Sequence, residues 1–348
     1  MTLTKGPIMR NVYSDPVAEY ELLRGACGLI DYTGLGLLRI TGGEAAQFLS
    51  QVSTRGVDFL LEGQISSALL LNTDGTLLAE ALIHCSGNDY LVEVWPAQAA
   101  AVADYLVAAG NTCGQDVNVQ DVTDDYRVYG IEGPQSPALA QKFLSFPITS
   151  MSYSSFVTES WGDDQDLLVS RTGVSGEYGY KLHIPVAAGN ELRDHLAGLG
   201  AQPVGLDALD ICRMEMRFAN LEQEADGATP FETGLQWMVD FGHEFIGKAA
   251  LTAHWEAGPA RRPVCWIAAE GLDDPPAAGT ALGVDGEPLG AVTHAVYSPR
   301  LERVIGTARV DADVAAAGLE LTLEQPEHLV LTTAAPFLVA TSFGVPLE

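Results

Sequence analysis

Apolar positions along the chain change period several times, and those changes mark its elements. Residues 16–27 carry helical spacing and close at Gly28. The run Gly34-Leu-Gly-Leu-Leu-Arg-Ile-Thr41 reads as a strand opened by glycines, and a short helix is expected over 44–49 after the Gly42-Gly43 turn. Residues 64–71 and 77–84 alternate as strands, and Asn72-Thr-Asp-Gly75 supplies hairpin turn chemistry between them. A strand at 90–94 precedes an alanine-rich amphipathic helix over 96–109. Strands are next expected at 117–122 and 126–131, then a helix over 134–143. Two more strands, 165–171 and 177–184, flank the turn Thr172-Gly-Val-Ser-Gly176, and helices follow over 189–199 and 208–216. Composition shifts near 254–260. Beyond it, short strands at 263–269, 290–296, 304–310 and 319–323 between Gly, Pro and Asp turns signal a small β-barrel or sandwich. Mostly local antiparallel pairing predicts an α+β fold rather than a doubly wound α/β sheet. The expected division is 1–254, as two interleaved α+β domains, and 255–348 as a β domain.

Composition narrows the function classes. The 348 residues suffice for two to three folding units, and 47% hydrophobic against 18% charged residues supplies a sizeable core. With 46 acidic and 18 basic residues the net charge is −28, which repels nucleic-acid backbones and anionic lipid. No apolar run is long enough for a membrane span, and the first residues carry no secretory pattern, so a cytoplasmic protein is expected. The five cysteines are scattered without a C-x-x-C pair and read as reduced thiols. The seven histidines form no H-x-H or H-E-x-x-H, which disfavours a metal enzyme, although ligands converging only in space escape such a test. Ser175, in Gly173-Val-Ser-Gly176, lacks the spacing of a nucleophile elbow and reads as a turn serine.

The order of the motifs adds more. Gly28-Leu-Ile-Asp31-Tyr-Thr-Gly34-Leu-Gly36 resembles the G-L-F-D-x-S-x-M-G opening of the glycine cleavage T-protein (aminomethyltransferase) family. Asn72-Thr-Asp-Gly75-Thr-Leu-Leu-Ala-Glu80 is similar to its N-x-x-G-G-x-x-D-D hairpin, and Glu132-Gly133-Pro134 to its Q-G-P. Arg171-Thr-Gly-Val-Ser-Gly-Glu177-Tyr-Gly-Tyr-Lys-Leu182 resembles R-T-G-Y-T-G-E-x-G-F-E-I. Gly205-Leu-Asp-Ala-Leu-Asp-Ile-Cys-Arg213-Met-Glu215 is similar to G-L-x-A-R-D-x-L-R-L-E. Thr229-Pro-Phe-Glu-Thr-Gly234-Leu-Gln-Trp237 and Phe245-Ile-Gly-Lys248-Ala-Ala-Leu251 resemble T-P-x-E-A-G-L-x-W and F-I-G-K-E-A-L. Leu289-Gly-Ala-Val-Thr293, followed by Tyr297-Ser-Pro299, resembles I-G-x-V-T-S-G…S-P. The matches run in family order over nearly the whole chain.

The resemblance implies three small domains in a cloverleaf ring around a central cavity for tetrahydrofolate, with a C-terminal β-barrel. It also implies transfer of a one-carbon unit between a small-molecule heteroatom and a folate nitrogen, driven by orientation rather than by a covalent nucleophile. Carried over by position, Glu177 is the pteridine-binding glutamate, a carboxylate suited to paired N–H donors; its plain alternative is a solvated hairpin residue. Tyr90 and Val92 fall where the family packs against the folate, with a buried strand tyrosine as the alternative. Leu35, in the opening motif, joins these contacts. Arg213 holds the pocket or pairs with Glu215 or Asp210, and Trp237 is either the L-x-W aromatic of the site or plain core. Arg261-Arg262 is the only adjacent basic pair, and Arg262 is expected to meet the folate tail carboxylates.

Glu80 is the expected catalytic residue, with an outward-facing strand glutamate as its plain alternative. The family hairpin ends in two aspartates, the second steering transfer, where this chain has Ala79-Glu80. A glutamate keeps the charge but reaches about one ångström further, a shift that costs ~100-fold at a reacting atom. Leu209, Leu221 and His294 also depart from the family pattern, and His294 is a candidate acid or base beside the pocket or a plain core histidine. The expectation is therefore a methyl- or methylene-transferring enzyme, of demethylase or methyltransferase type, with a non-glycine substrate. A lipoyl carrier protein is disfavoured as partner. Two alternatives stand beside it: a complete aminomethyltransferase, and a non-catalytic folate binder of the iron–sulfur-assembly type. The latter lacks its cysteine signature around His243–Ala250 here.

Overall fold

The computed structural model describes residues 9–162 and 164–347; the first residues, on which the leader expectation rests, lie outside them. Three sheets organise the chain, with helices packed on the first two. The first sheet is five-stranded and antiparallel, in the order Ile65–Leu71, Leu77–Ser86, Asp89–Val94, Gly36–Thr41, Asn118–Asp121. Its outer face is covered by the helices Ala45–Val52 and Pro96–Thr112, which bring Phe48, Leu49, Val102 and Leu106 onto Ile40, Ile83 and Val92. Each such side chain stabilises by roughly 1.5–3 kcal/mol on full burial. The other face looks inward. The hairpin turn needs its glycine: Gly75 has φ +84°, and a Cβ there would lie 3.1 Å from the backbone nitrogen of Leu251.

The second sheet is six-stranded, in the order Gln202–Pro203, Gly28–Asp31, Tyr126–Glu132, Gly179–Pro185, Gln165–Ser170, Phe156–Trp161. The sequence pattern did not separate Gly28–Asp31 from Gly36–Thr41. Gly34, at φ +109°, turns the chain between them, so the two strands enter different sheets. Phe156–Trp161 also went unread, because it is an edge strand whose outward positions are polar and exposed. The helix Pro16–Gly25 starts on Asp15, whose carboxylate accepts from the Ala18 N–H at 2.9 Å, with Pro16 in the first turn. It buries Tyr20, Leu23 and Arg24 against the helix Leu206–Met216.

The third sheet is a closed barrel rather than a sandwich: Arg261–Ala268 pairs with both Arg303–Asp311 and Glu327–Thr333. Ala281–Val284, only four residues long, and Glu327–Thr333, polar at both ends, complete it and carry too weak a pattern to stand out. Its core holds Trp266, Leu282, Val304 and Leu323. The fold is thus α+β with a C-terminal barrel, as expected, and the three sheets meet around a shared cavity. Among the described residues no helix is long and apolar enough to cross a membrane.

Candidate functional site

The cavity measures about 810 Å³ and takes lining from every sheet. The strand Leu77–Ser86 shows why. Ala79, Ala81 and Ile83 point into the first core, so Glu80 and Leu82, one position out of step, face the cavity. Glu80 is half-buried and accepts a hydrogen bond from Ser67 Oγ at 3.0 Å, from the facing strand of the hairpin. The second sheet contributes Lys181, and the barrel adds Val264 and Cys265. Trp237 lies at the rim with its side chain largely exposed, 64%, rather than in a core. The Arg55 guanidinium sits 5.3 Å from the centre of its ring and donates to its carbonyl at 3.1 Å.

Arg217, also lining the cavity, ends the helix Leu206–Met216 in the left-handed region at φ +63°. That conformation costs an arginine about 1 kcal/mol or more. A two-pronged contact to Glu224, at 3.1 and 2.6 Å, holds it there.

The other residues singled out in the sequence lie elsewhere. Glu177 is not part of the cavity lining and is only 4% exposed. One carboxylate oxygen accepts from Arg24 at 2.8 Å, the other from the Ser342 N–H at 2.7 Å. The C-terminal segment is what covers it: Phe343 packs on Tyr153 and Tyr178, and the Tyr178 N–H donates to Ser342 Oγ at 3.1 Å. Tyr90 and Val92 point into the first core, away from the cavity, because they share the parity of the helix-covered face. Leu35 is buried with Tyr20, Ile30 and Leu209. Arg213 stacks on Trp95, 4.5 Å from the ring centre, and donates to the Ala219 carbonyl. It lines a separate cleft of about 180 Å³ with Asp210 and Asn220. Arg262 is exposed at the start of a barrel strand, outside the cavity lining. His294 is outside it too, with Nε2 2.6 Å from Asp210. Burial alone would raise the Asp210 pKa, but the His294 and Asn220 contacts leave it lowered.

Sequence reasoning missed a buried charged group behind the cavity wall. The Lys181 ammonium contacts Glu93, and His183 Nε2 lies 2.8 Å from the other oxygen of that carboxylate. Burial would raise Glu93, yet Lys181 and the two histidines hold it far below the usual carboxylate range. His84 completes the group; its Nδ1 donates to the Leu91 carbonyl at 3.2 Å, and burial pushes its pKa down to about 4. Ligand atoms of His84, Glu93 and His183 lie within 4.8 Å of one another, a set no spacing rule could find because three strands supply it. The Lys181 cation already neutralises the one carboxylate, so a divalent ion there would leave excess buried positive charge. The signal available in the sequence was Lys181 and His183 alternating with Tyr180, Leu182 and Ile184, polar residues in a strand otherwise fit for burial on both faces.

Comparison with known proteins agrees with this architecture. The GCVT N-terminal domain matches residues 9–243, and the glycine cleavage T-protein C-terminal barrel domain matches residues 261–337. The aminomethyltransferase of Halothermothrix orenii is 30% identical over 319 residues, covering 89% of this chain and 87% of that protein. That of Frankia alni is 34% identical over 307 residues, covering 86% and 82%. The crystal structure of the glycine cleavage system aminomethyltransferase T from Bartonella henselae superposes with a TM-score of 0.85 at 22% identity, covering 95% of this chain and 91% of that one. A match over both the mixed helix–sheet region and the closing barrel, in one chain and in order, means that this protein belongs to the glycine cleavage T-protein family.

Proposed function

We propose that the protein is a tetrahydrofolate-dependent one-carbon transferase whose reaction takes place in the three-sheet cavity. The observation that carries this reading is Glu80, a carboxylate aimed into a largely apolar cavity of about 810 Å³. That volume lies within the range of small-molecule sites, and its apolar walls carry polar side chains, Glu80 and Lys181 among them, that can orient a flat ligand. Tetrahydrofolate supplies the nitrogen that accepts or releases the one-carbon unit. Glu80 places negative charge beside the reacting centre and is itself positioned by Ser67. Trp237 and Arg55 offer a stacking surface at the rim. Glu177 serves the pteridine only if the amide of Ser342 releases its carboxylate. In this reading Leu35, Tyr90 and Val92 support the walls from the cores behind them, Arg213 braces the neighbouring cleft, and Arg262 stays a surface contact for the folate tail.

The second reading is full aminomethyl transfer with a lipoyl carrier protein, and it is favoured by the relatives, which are named aminomethyltransferases. Calorimetric titration with tetrahydrofolate tests the shared part: micromolar binding, weakened about tenfold in Trp237→Ala, is expected. A wild-type protein that does not bind tetrahydrofolate sinks both readings. Activity with an aminomethylated lipoyl carrier, and none with free methylated small molecules, replaces the first by the second.

A further inference from the structure

We propose that Lys181 anchors a carboxylate of the small-molecule partner, so that the enzyme selects short anionic one-carbon donors or acceptors; this rests on the folate-transferase reading of the same cavity. Among the described residues four charged ones line the cavity, Arg55, Glu80, Lys181 and Arg217, and three of them are basic, in a chain with 46 acidic and 18 basic residues. Arg217 and Lys181 are each paired with a carboxylate, Glu224 and Glu93, so in a protein of net charge −28 the wall is close to neutral and spares an anionic group the general repulsion.

The three cations are not equivalent. Arg217 is held by both oxygens of Glu224, and Arg55 lies at the rim over Trp237. Lys181 is the one set into the wall, with its side chain 5% exposed. An ammonium has three donor hydrogens. Among the described residues the Lys181 group makes one hydrogen bond, to Glu93, and it stands 5.1 Å from the ring centre of Tyr32. Glu93 is in turn shared with His183, so it does not belong to Lys181 alone. A buried cation with donors left over, lining a cavity, is completed by an acceptor that enters the cavity.

Register sets the size of that molecule. Leu82 pairs with Glu93, and Glu80 is two residues further along the same strand. Glu80 and Glu93, which Lys181 contacts, are therefore offset by roughly 7 Å along the strands and about 5 Å across them, backbone to backbone. A carboxylate at Lys181 with its reacting heteroatom beside Glu80 fits a short methylated acid with only a few bonds between the two ends.

The test uses the full-length protein with tetrahydrofolate present and acid–amide probe pairs: N,N-dimethylglycine with its primary amide, and methoxyacetate with methoxyacetamide. Calorimetry on wild type is expected to show the acid of each pair bound at least about tenfold more tightly than the amide. Lys181→Met removes that preference while tetrahydrofolate affinity stays within about twofold, and Lys181→Arg retains part of the preference. Because Lys181→Met strands Glu93, Lys181→Met/Glu93→Gln provides the same measurement if the single variant does not fold. Equal binding of acid and amide by wild type overturns the proposal. So does a tenfold loss of tetrahydrofolate affinity in Lys181→Met that is absent with tetrahydropteroate, since Lys181 would then hold the folate tail. Acid preference without any tetrahydrofolate binding leaves the anchor standing and removes the transferase reading instead.

Discussion

Two buried ionic groups stand close to the cavity, and they differ in how completely they are bonded. Around Arg24, nearly every polar atom has a protein partner. The guanidinium contacts Glu177, Glu215 and the Ser175 carbonyl; Tyr20 and Ser298 donate to Glu215; and Ser342 closes Glu177. Among the described residues only Arg24 Nε is left over. This group ties the first helix, the 172–178 turn, the helix Leu206–Met216 and a barrel strand into one unit. Around Lys181 the bonding is loose: among the described residues His84 Nε2 and His183 Nδ1 have no partner, and the ammonium makes a single hydrogen bond. A saturated network fixes relative position, whereas an unsaturated one lowers stability and marks where a ligand completes the bonding. Position in a family motif pointed to Glu177, but its oxygens are engaged; geometry points to Lys181, whose donors are not.

The largest effect is expected at Arg24. Arg24→Met leaves Glu177 and Glu215 buried without a counter-charge and is expected to destabilise by about 3–5 kcal/mol in a denaturant titration. A loss below about 1 kcal/mol would mean that the Arg24 group does not hold these segments together. Acid sharpens the contrast from the other side. His84 is neutral when folded down to about pH 4, while the unfolded chain takes up its proton near the usual histidine value of roughly 6.5. Between those values the unfolded state binds more protons, so stability falls as pH falls through the window, by up to ~3 kcal/mol. Glu93, Lys181 and His183 face the same ring, and the lowered Glu93 continues the loss at still lower pH. His84→Phe is expected to flatten the midpoint-against-pH curve between about pH 6.5 and 4; an unchanged slope would assign the acid sensitivity to other groups. The smallest effect on stability is expected at Trp237, 64% exposed. Trp237→Ala changes it by no more than about 0.5 kcal/mol, although it weakens tetrahydrofolate. A cost above 2 kcal/mol would make Trp237 a packing residue.

Legibility follows the range of the interactions involved. Glu80 could be singled out by its place after the Asn72–Gly75 turn in the family hairpin, but that its face looks into the cavity follows from the packing of Ala79, Ala81 and Ile83 on the opposite one. Trp237 could be singled out by motif, but its exposure could not. Tyr90 and Val92 were placed on the right strand; which of its faces meets the helices depends on packing by Phe48 and Leu106. Ser342 lies 165 residues from Glu177, and nothing near either residue announces their contact. The Lys181 group draws on three strands of two sheets, so no window along the chain contains it.

By itself the sequence determined the local order: helices where apolar positions recur at helical spacing, a glycine-turned hairpin presenting Glu80, a run of short C-terminal strands, and a family signature spread along the chain. These depend on neighbours a few residues apart and on residue types in order. Tertiary structure alone decided that Tyr90 and Val92 turn away from the cavity, that Glu177 is covered, and that Lys181 lines the cavity with donors to spare. Those outcomes depend on which distant groups share low-dielectric space, where partners and desolvation rather than sequence spacing set the energy of a charge.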